Sequence, residues 1–146
     1  MVKSFDYFPF YRQLELNDCG PVCLKMVTEY YGKSYSIEEI KTKCDFKQEK
    51  ISLITLSRAA EALGFRAFCA KIDYDQFKSI ECPCIVHWST SHFVVVYGST
   101  PDFVWVADPA IGHIGYTNTE FYSGWLGDYG GEAPGAQGVF MALEID

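Results

Sequence analysis

The hydrophobic period changes halfway along this chain, and that change restricts the fold more than any other feature. In the first half, apolar residues recur at three- and four-residue spacing. Val22, Cys23, Met26, Val27, Tyr30 and Tyr31 mark one face of a helix that Gly32 stops. Its start lies in Asn17-Asp18-Cys19-Gly20-Pro21, with Asp18 as N-cap and Pro21 tolerated within the first turn. Ser36 and Glu39 have capping-box spacing and open a short second helix. Ser52 caps a third, with Leu53, Leu56, Ala59, Ala60 and Leu63 on one face and Gly64 at its end. Residues 65–70 suit a short strand, and 73–79 one or two helical turns. From residue 84 onward, β-rich runs take over at 84–88, 92–98 and 103–107, divided by turns at 89–91 and 99–102. Such spacing predicts an antiparallel meander. Thr117 and Glu120 open one more helix, through Trp125; 127–138 is Gly-rich and reads as a loop, and 139–145 as a closing strand. Helices first and antiparallel strands second specify an α+β domain.

Composition narrows the function classes. A chain of 146 residues suits one domain, spanning 1–146, and 49% hydrophobic residues supply a real core. A formal charge of -7 excludes the basic footprint of a nucleic-acid binder and a polybasic membrane patch. No apolar run reaches the roughly 18 to 20 residues of a membrane span, and the first residues lack the apolar stretch of a secretory signal. The six cysteines are therefore expected to be reduced thiols rather than a disulfide framework.

One of those thiols sits where chemistry is easiest. A helix N-terminus presents unpaired N–H groups and about half a positive charge, so Cys19 is placed to form a thiolate. A thiolate nucleophile needs a base, and the candidates are His87, His92 and His113. His92 opens a strand after a polar turn. Asp108 ends the following strand, so antiparallel pairing can set the two side by side at one sheet edge. An oxyanion needs donors, and the Cys19 N–H and the Gln13 side-chain amide are candidates. Cys82-Pro83-Cys84 with His87 offers at most three metal ligands, so no metal or other cofactor is called for.

Gln13 through Leu24, Tyr30-Tyr31-Gly32, Ile85 to Trp88, His92 to Val96, Val106 to Ala110 with Gly112, and Phe121 to Trp125 together resemble a known family. It is the bacteriocin-processing cysteine peptidase domain found at the N-terminus of peptidase-containing ABC transporters. The resemblance runs from about residue 8 to residue 145. It implies a papain-like fold with helices packed against an antiparallel sheet. By motif position it makes Cys19 the nucleophile, His92 the general base, Asp108 the residue that orients His92, and Gln13 the oxyanion donor. It also implies a substrate, a precursor peptide cut after a double-glycine leader, and partners, the transmembrane and ATP-binding domains of the same transporter. The expected location is the cytoplasmic face of the bacterial membrane, with the excised domain soluble. Pro21 departs from the family's usual small residue, and the long Gly-rich segment 127–138 is a second departure, with no role assigned to it. Two other functions remain open: a non-hydrolytic domain that docks cargo, which the presence of Cys19 argues against, and another papain-like thiol amidase or acyltransferase.

Overall fold

The computed structural model describes residues 8–44, 52–80, 83–88, 92–127 and 137–145. In chain order the elements are α1 (Cys19–Tyr30), α2 (Ile37–Lys43), α3 (Leu53–Ala62), β1 (Phe65–Asp73), α4 (Tyr74–Lys78), β2 (Cys84–Trp88), β3 (His92–Ser99), β4 (Phe103–Asp108), β5 (Gly112–Thr117), α5 (Asn118–Leu126) and β6 (Gln137–Ile145). The strands form one antiparallel sheet in the order β1-β6-β2-β3-β4-β5. This is the α+β arrangement that the change of period predicts.

Local chemistry explains most boundaries. Ser36 and Thr117 each form a complete capping box, and Ser52 accepts the N–H of Thr55. Asp73 and Gln76 form a third box at the start of α4. Gly32 and Gly64 follow α1 and α3 at φ 90° and 95°, a conformation that side chains with a Cβ resist. Alone, a twelve-residue helix such as α1 is marginal. Burial holds it: Val22, Leu24, Met26 and Val27 are at most 2% exposed, and each contributes about 1.5 to 3 kcal/mol.

The sheet is covered on both sides. Along β3, Phe93, Val95 and Tyr97 belong to the core built with α1, α2 and α3, while Val94 and Val96 belong to a second core with Phe77, Phe121 and Trp125 from α4 and α5. Alternation along a strand produces this division. The expected picture of N-terminal helices against a C-terminal sheet is thus extended in two ways. The two later helices occupy the opposite face, and β1, from the first half, forms an edge of the sheet.

Three differences from the sequence reading exceed one residue. β1 runs to Asp73 because all nine of its residues pair with β6. Residues 112–117, given no strand by the sequence reading, form β5, since Asp108↔Gly112 through Phe103↔Thr117 pair in register. β6 begins at Gln137 rather than residue 139, and residues 128–136 of the expected Gly-rich loop lie outside the described residues.

Gly138 shows how tightly α5 meets the sheet. A Cβ there would fall 2.4 Å from Trp125 Cε2 and 2.7 Å from Leu126 Cδ2. Trp125 is buried, and its indole N–H donates to the Val139 carbonyl at 3.2 Å, so the ring has no room to retreat. Gly138→Ala is expected to destabilise the fold by about 1 to 3 kcal/mol, measured as a lower urea midpoint with an unchanged slope.

Candidate active site

Cys19 is the first residue of α1 and is 7% exposed. Pro21 falls in the same first turn, where its missing N–H is not needed by the helix. A Cβ on Gly20 would lie 3.1 Å from Leu56 Cδ1, so this glycine lets α3 approach the start of α1. Asp18 occupies the N-cap position but makes no capping hydrogen bond. A 3-10 turn, Leu16–Asp18, leads into the helix and keeps the Asp18 backbone helical. Its carboxylate turns instead to Lys41 on α2, at 2.8 Å, which compensates a charge that is almost fully buried. The expected cap is therefore a helix-to-helix ion pair.

Across the junction between helix and sheet, the first residue of β3 meets this thiol. His92 and Cys19 share a side-chain hydrogen bond, and the N–H groups of Phe93 and Gly20 also donate to the sulfur. His92 Nε2 lies 2.7 Å from Asp108 Oδ1, which leaves Nδ1 for the thiol. The same Asp108 oxygen accepts the N–H of Ala110 at 2.8 Å. Asp108 is buried, at 4% exposure, so both donors support a carboxylate that water barely reaches. The pairing Val95↔Ala107 sets this up, because it carries the beginning of β3 and the end of β4 to the same edge. Gln13 arrives there too: its backbone N–H donates to the Pro109 carbonyl at 2.9 Å. Its side-chain Nε2 donates to the Glu15 carbonyl at 3.1 Å, which fixes the plane of the amide. The four residues expected at the site from sequence are thus gathered at one end of the sheet.

Residues 7–129 match the peptidase C39 family. The chain belongs to that family. As a C39 peptidase it is a cysteine peptidase with the papain-like α+β fold. It is 35% identical over 123 residues to the lactococcin-G-processing and transport ATP-binding protein LagD of Lactococcus lactis subsp. lactis, covering 80% of this chain and 17% of LagD. It is 30% identical over 104 residues to the colicin V secretion/processing ATP-binding protein CvaB of Escherichia coli, covering 71% of this chain and 15% of CvaB. The chain therefore spans less than a fifth of the length of these relatives. Among solved structures it is similar to a double glycine motif protease from an AMS/PCAT transporter in complex with the leader peptide. There the TM-score is 0.82 at 25% identity, with 94% of this chain and 91% of that chain covered.

The electrostatics of this C39 site follow from its contacts. Burial alone would raise the Cys19 pKa, but the His92 hydrogen bond and the Phe93 N–H outweigh it and hold the thiol below its ordinary value. Burial likewise disfavours a charged His92. The Asp108 hydrogen bond dominates the opposing effects, followed by the Cys19 hydrogen bond, and the ring is pushed up to about 9. Both shifts favour the thiolate–imidazolium pair over the neutral pair.

The other sequence candidates end elsewhere. His87 is an exposed ring stacked on Phe93 at 4.8 Å, and burial of part of it lowers its pKa. His113, on β5, sits edge-on to Phe10 at 5.4 Å. Cys23 lies one turn after Cys19, fully buried, and desolvation raises its pKa well above that of an ordinary thiol. Cys84 and His87 are three residues apart on one strand, so they face opposite sides of the sheet, and Cys82 lies outside the described residues. Cys19, Cys23, Cys44 and Cys69 carry free thiols. Sequence reasoning overlooked Lys41, the partner of Asp18, and Arg12, which donates to the carbonyls of Ala110 and Ile111. Their signal is weak because their partners lie far off in sequence or on the main chain.

Two pH profiles should separate the members of the pair. Iodoacetamide needs only the thiolate, so the alkylation rate is expected to rise with a midpoint below the ordinary thiol value and then level off. With His92 in the general-acid role expected from the sequence, peptide hydrolysis also needs a proton on that ring. It is expected to rise on the same acid limb and to fall as pH passes about 9.

Proposed function

We propose that this chain cuts the leader from a precursor peptide after a double-glycine junction, and that the trimmed peptide is exported by an ABC transporter. In this reading residues 1–146 form the peptidase domain, and the transmembrane and ATP-binding domains belong to the same transporter at the cytoplasmic face of the bacterial membrane. The observation that carries the reading is the continuous contact from Cys19 through His92 to Asp108 in a C39 peptidase. The relatives named for bacteriocin processing and transport, and the neighbour in complex with a leader peptide, supply the substrate class.

The chemistry proceeds in two stages. The Cys19 thiolate adds to the scissile carbonyl carbon, and the carbonyl oxygen becomes an oxyanion. The Cys19 N–H and the Gln13 amide stabilise that charge. Imidazolium His92 then protonates the departing amine, the C–N bond breaks, and a thioester to the leader remains. The amine product is the cargo peptide. In the second stage, neutral His92 takes a proton from water, hydroxide adds to the thioester, and the thiolate leaves. Asp108 keeps Nε2 as the hydrogen-bonded nitrogen throughout, so Nδ1 faces the sulfur in both stages. Glycine at the cut suits a narrow cleft, since side chains on either residue would have to be housed there.

A synthetic peptide with a Gly-Gly leader junction tests the proposal. The wild-type protein is expected to cleave after the second glycine, as read by mass spectrometry, and Cys19→Ala to leave the peptide intact. Asp108→Asn is expected to cost about 1,000- to 10,000-fold in kcat, and Gln13→Ala about 100- to 1,000-fold. Binding without cleavage by the wild-type protein would instead assign a cargo-docking role. No interaction at all would point to another thiol enzyme.

A further inference from the structure

Arg12 stands one residue before Gln13 and makes no contact with Cys19, His92 or Asp108 among the contacts described above. Its guanidinium donates through Nη1 to the Ala110 carbonyl at 2.9 Å and through Nη2 to the Ile111 carbonyl at 3.1 Å. Between these bonds and the site lies a third: the Gln13 N–H donates to the Pro109 carbonyl at 2.9 Å. Three consecutive carbonyls of the turn after β4 are thus taken by two consecutive residues of the N-terminal segment. The other side of that turn is tied to the catalytic carboxylate, since Ala110 N–H donates to Asp108 Oδ1 at 2.8 Å and Ile111 N–H to the Asp108 carbonyl at 2.9 Å. Arg12 is exposed, yet its guanidinium carbon also lies 5.8 Å over the ring of Phe10, which packs edge-on against His113 of β5. A planar fork that spans two carbonyls is a bond pattern lysine cannot reproduce.

We infer that Arg12 is a positioning residue that clamps the Gln13 segment to the Asp108 turn and so sets the distance between the oxyanion donor and the thiol. The inference rests on the role proposed for Gln13. Residues 8–15 contain no helix or strand, so the place of the Gln13 amide depends on such tethers. Acyl transfer is sensitive to this placement, because a displacement near 1 Å can cost about 100-fold. Alkylation of the thiol develops no oxyanion and is indifferent to it.

A double-mutant cycle with the Gly-Gly junction peptide tests the clamp. Arg12→Ala is expected to lower kcat about 10- to 100-fold, with KM within about twofold of wild type. The iodoacetamide rate and its pH midpoint are expected to stay at wild-type values, because the sulfur, His92 and Asp108 keep their contacts. Arg12→Lys should lose less than Arg12→Ala, since one carbonyl remains within its reach. In a Gln13→Ala background, removing Arg12 should change kcat little, because the group it positions is already gone. An equal loss in both backgrounds would overturn the clamp while leaving Gln13 as oxyanion donor. So would a shifted alkylation profile, which would show that Arg12 acts on the thiol. Full activity of Gln13→Ala would overturn the oxyanion assignment itself, and the clamp with it.

Discussion

The contact between Cys19 and His92 at the foot of α1 imposes the main constraint on this molecule. Thiolate and imidazolium both lose hydration where Cys19 and His92 sit, and burial works against each ion. The charged forms are favoured nonetheless because each member is met by a fixed donor or acceptor: Phe93 and Gly20 N–H groups at the sulfur, Asp108 at the ring, and Ala110 N–H behind Asp108. Three separate elements supply the three side chains, namely α1, β3 and β4. A small slide of α1 over the sheet would therefore cost the pair its contacts. The apolar contacts of Val22, Met26 and Val27 with β3, beneath a strand that also has its other face buried by α5, resist that slide.

The segment before α1 serves the same end without regular structure. Phe8 stacks on Tyr97 at 4.9 Å and meets Tyr30 at 5.5 Å, so it joins β3 to the far end of α1. Tyr11 donates to the carboxylate of Glu29 at 2.7 Å, a second attachment to that helix. Arg12 and Gln13 then bind the turn after β4. A stretch of chain that makes no ladder of its own is thus fixed by side chains, and it delivers Gln13 beside the carboxylate turn. Aromatic rings suit this work, since they bury large areas at small entropic cost.

Much of this was legible in the amino-acid sequence, and the rest was not for identifiable reasons. The capping residues Ser36 and Thr117 announce their helices because the hydrogen bonds are local. The nearness of His92 and Asp108 follows from strand order alone, since one begins a strand and the other ends the next. Strand β5 escaped notice because Gly112 and Gly115 dilute its β-propensity; Gly115 is there to admit Trp105, whose ring atom Cζ3 would lie 2.4 Å from a Cβ. The ion pair of Asp18 with Lys41 joins residues on different helices, and sequence spacing favoured the cap instead. The clamp made by Arg12 is illegible in principle from one sequence, because its acceptors are main-chain carbonyls about a hundred residues away, which carry no residue-type signal.

Strand β6 has a kinetic consequence. It lies between β1 and β2, pairing Phe65 with Ile145 and Val86 with Phe140, although it is the last of the described strands in chain order. Until it arrives, β1 has no strand to pair with and β2 has only one partner. Contacts so distant along the chain form slowly. The sheet is thus completed late, when β6 is threaded between strands synthesised long before it, and a nascent chain lacking that strand carries Cys19, His92 and Asp108 on an unfinished scaffold.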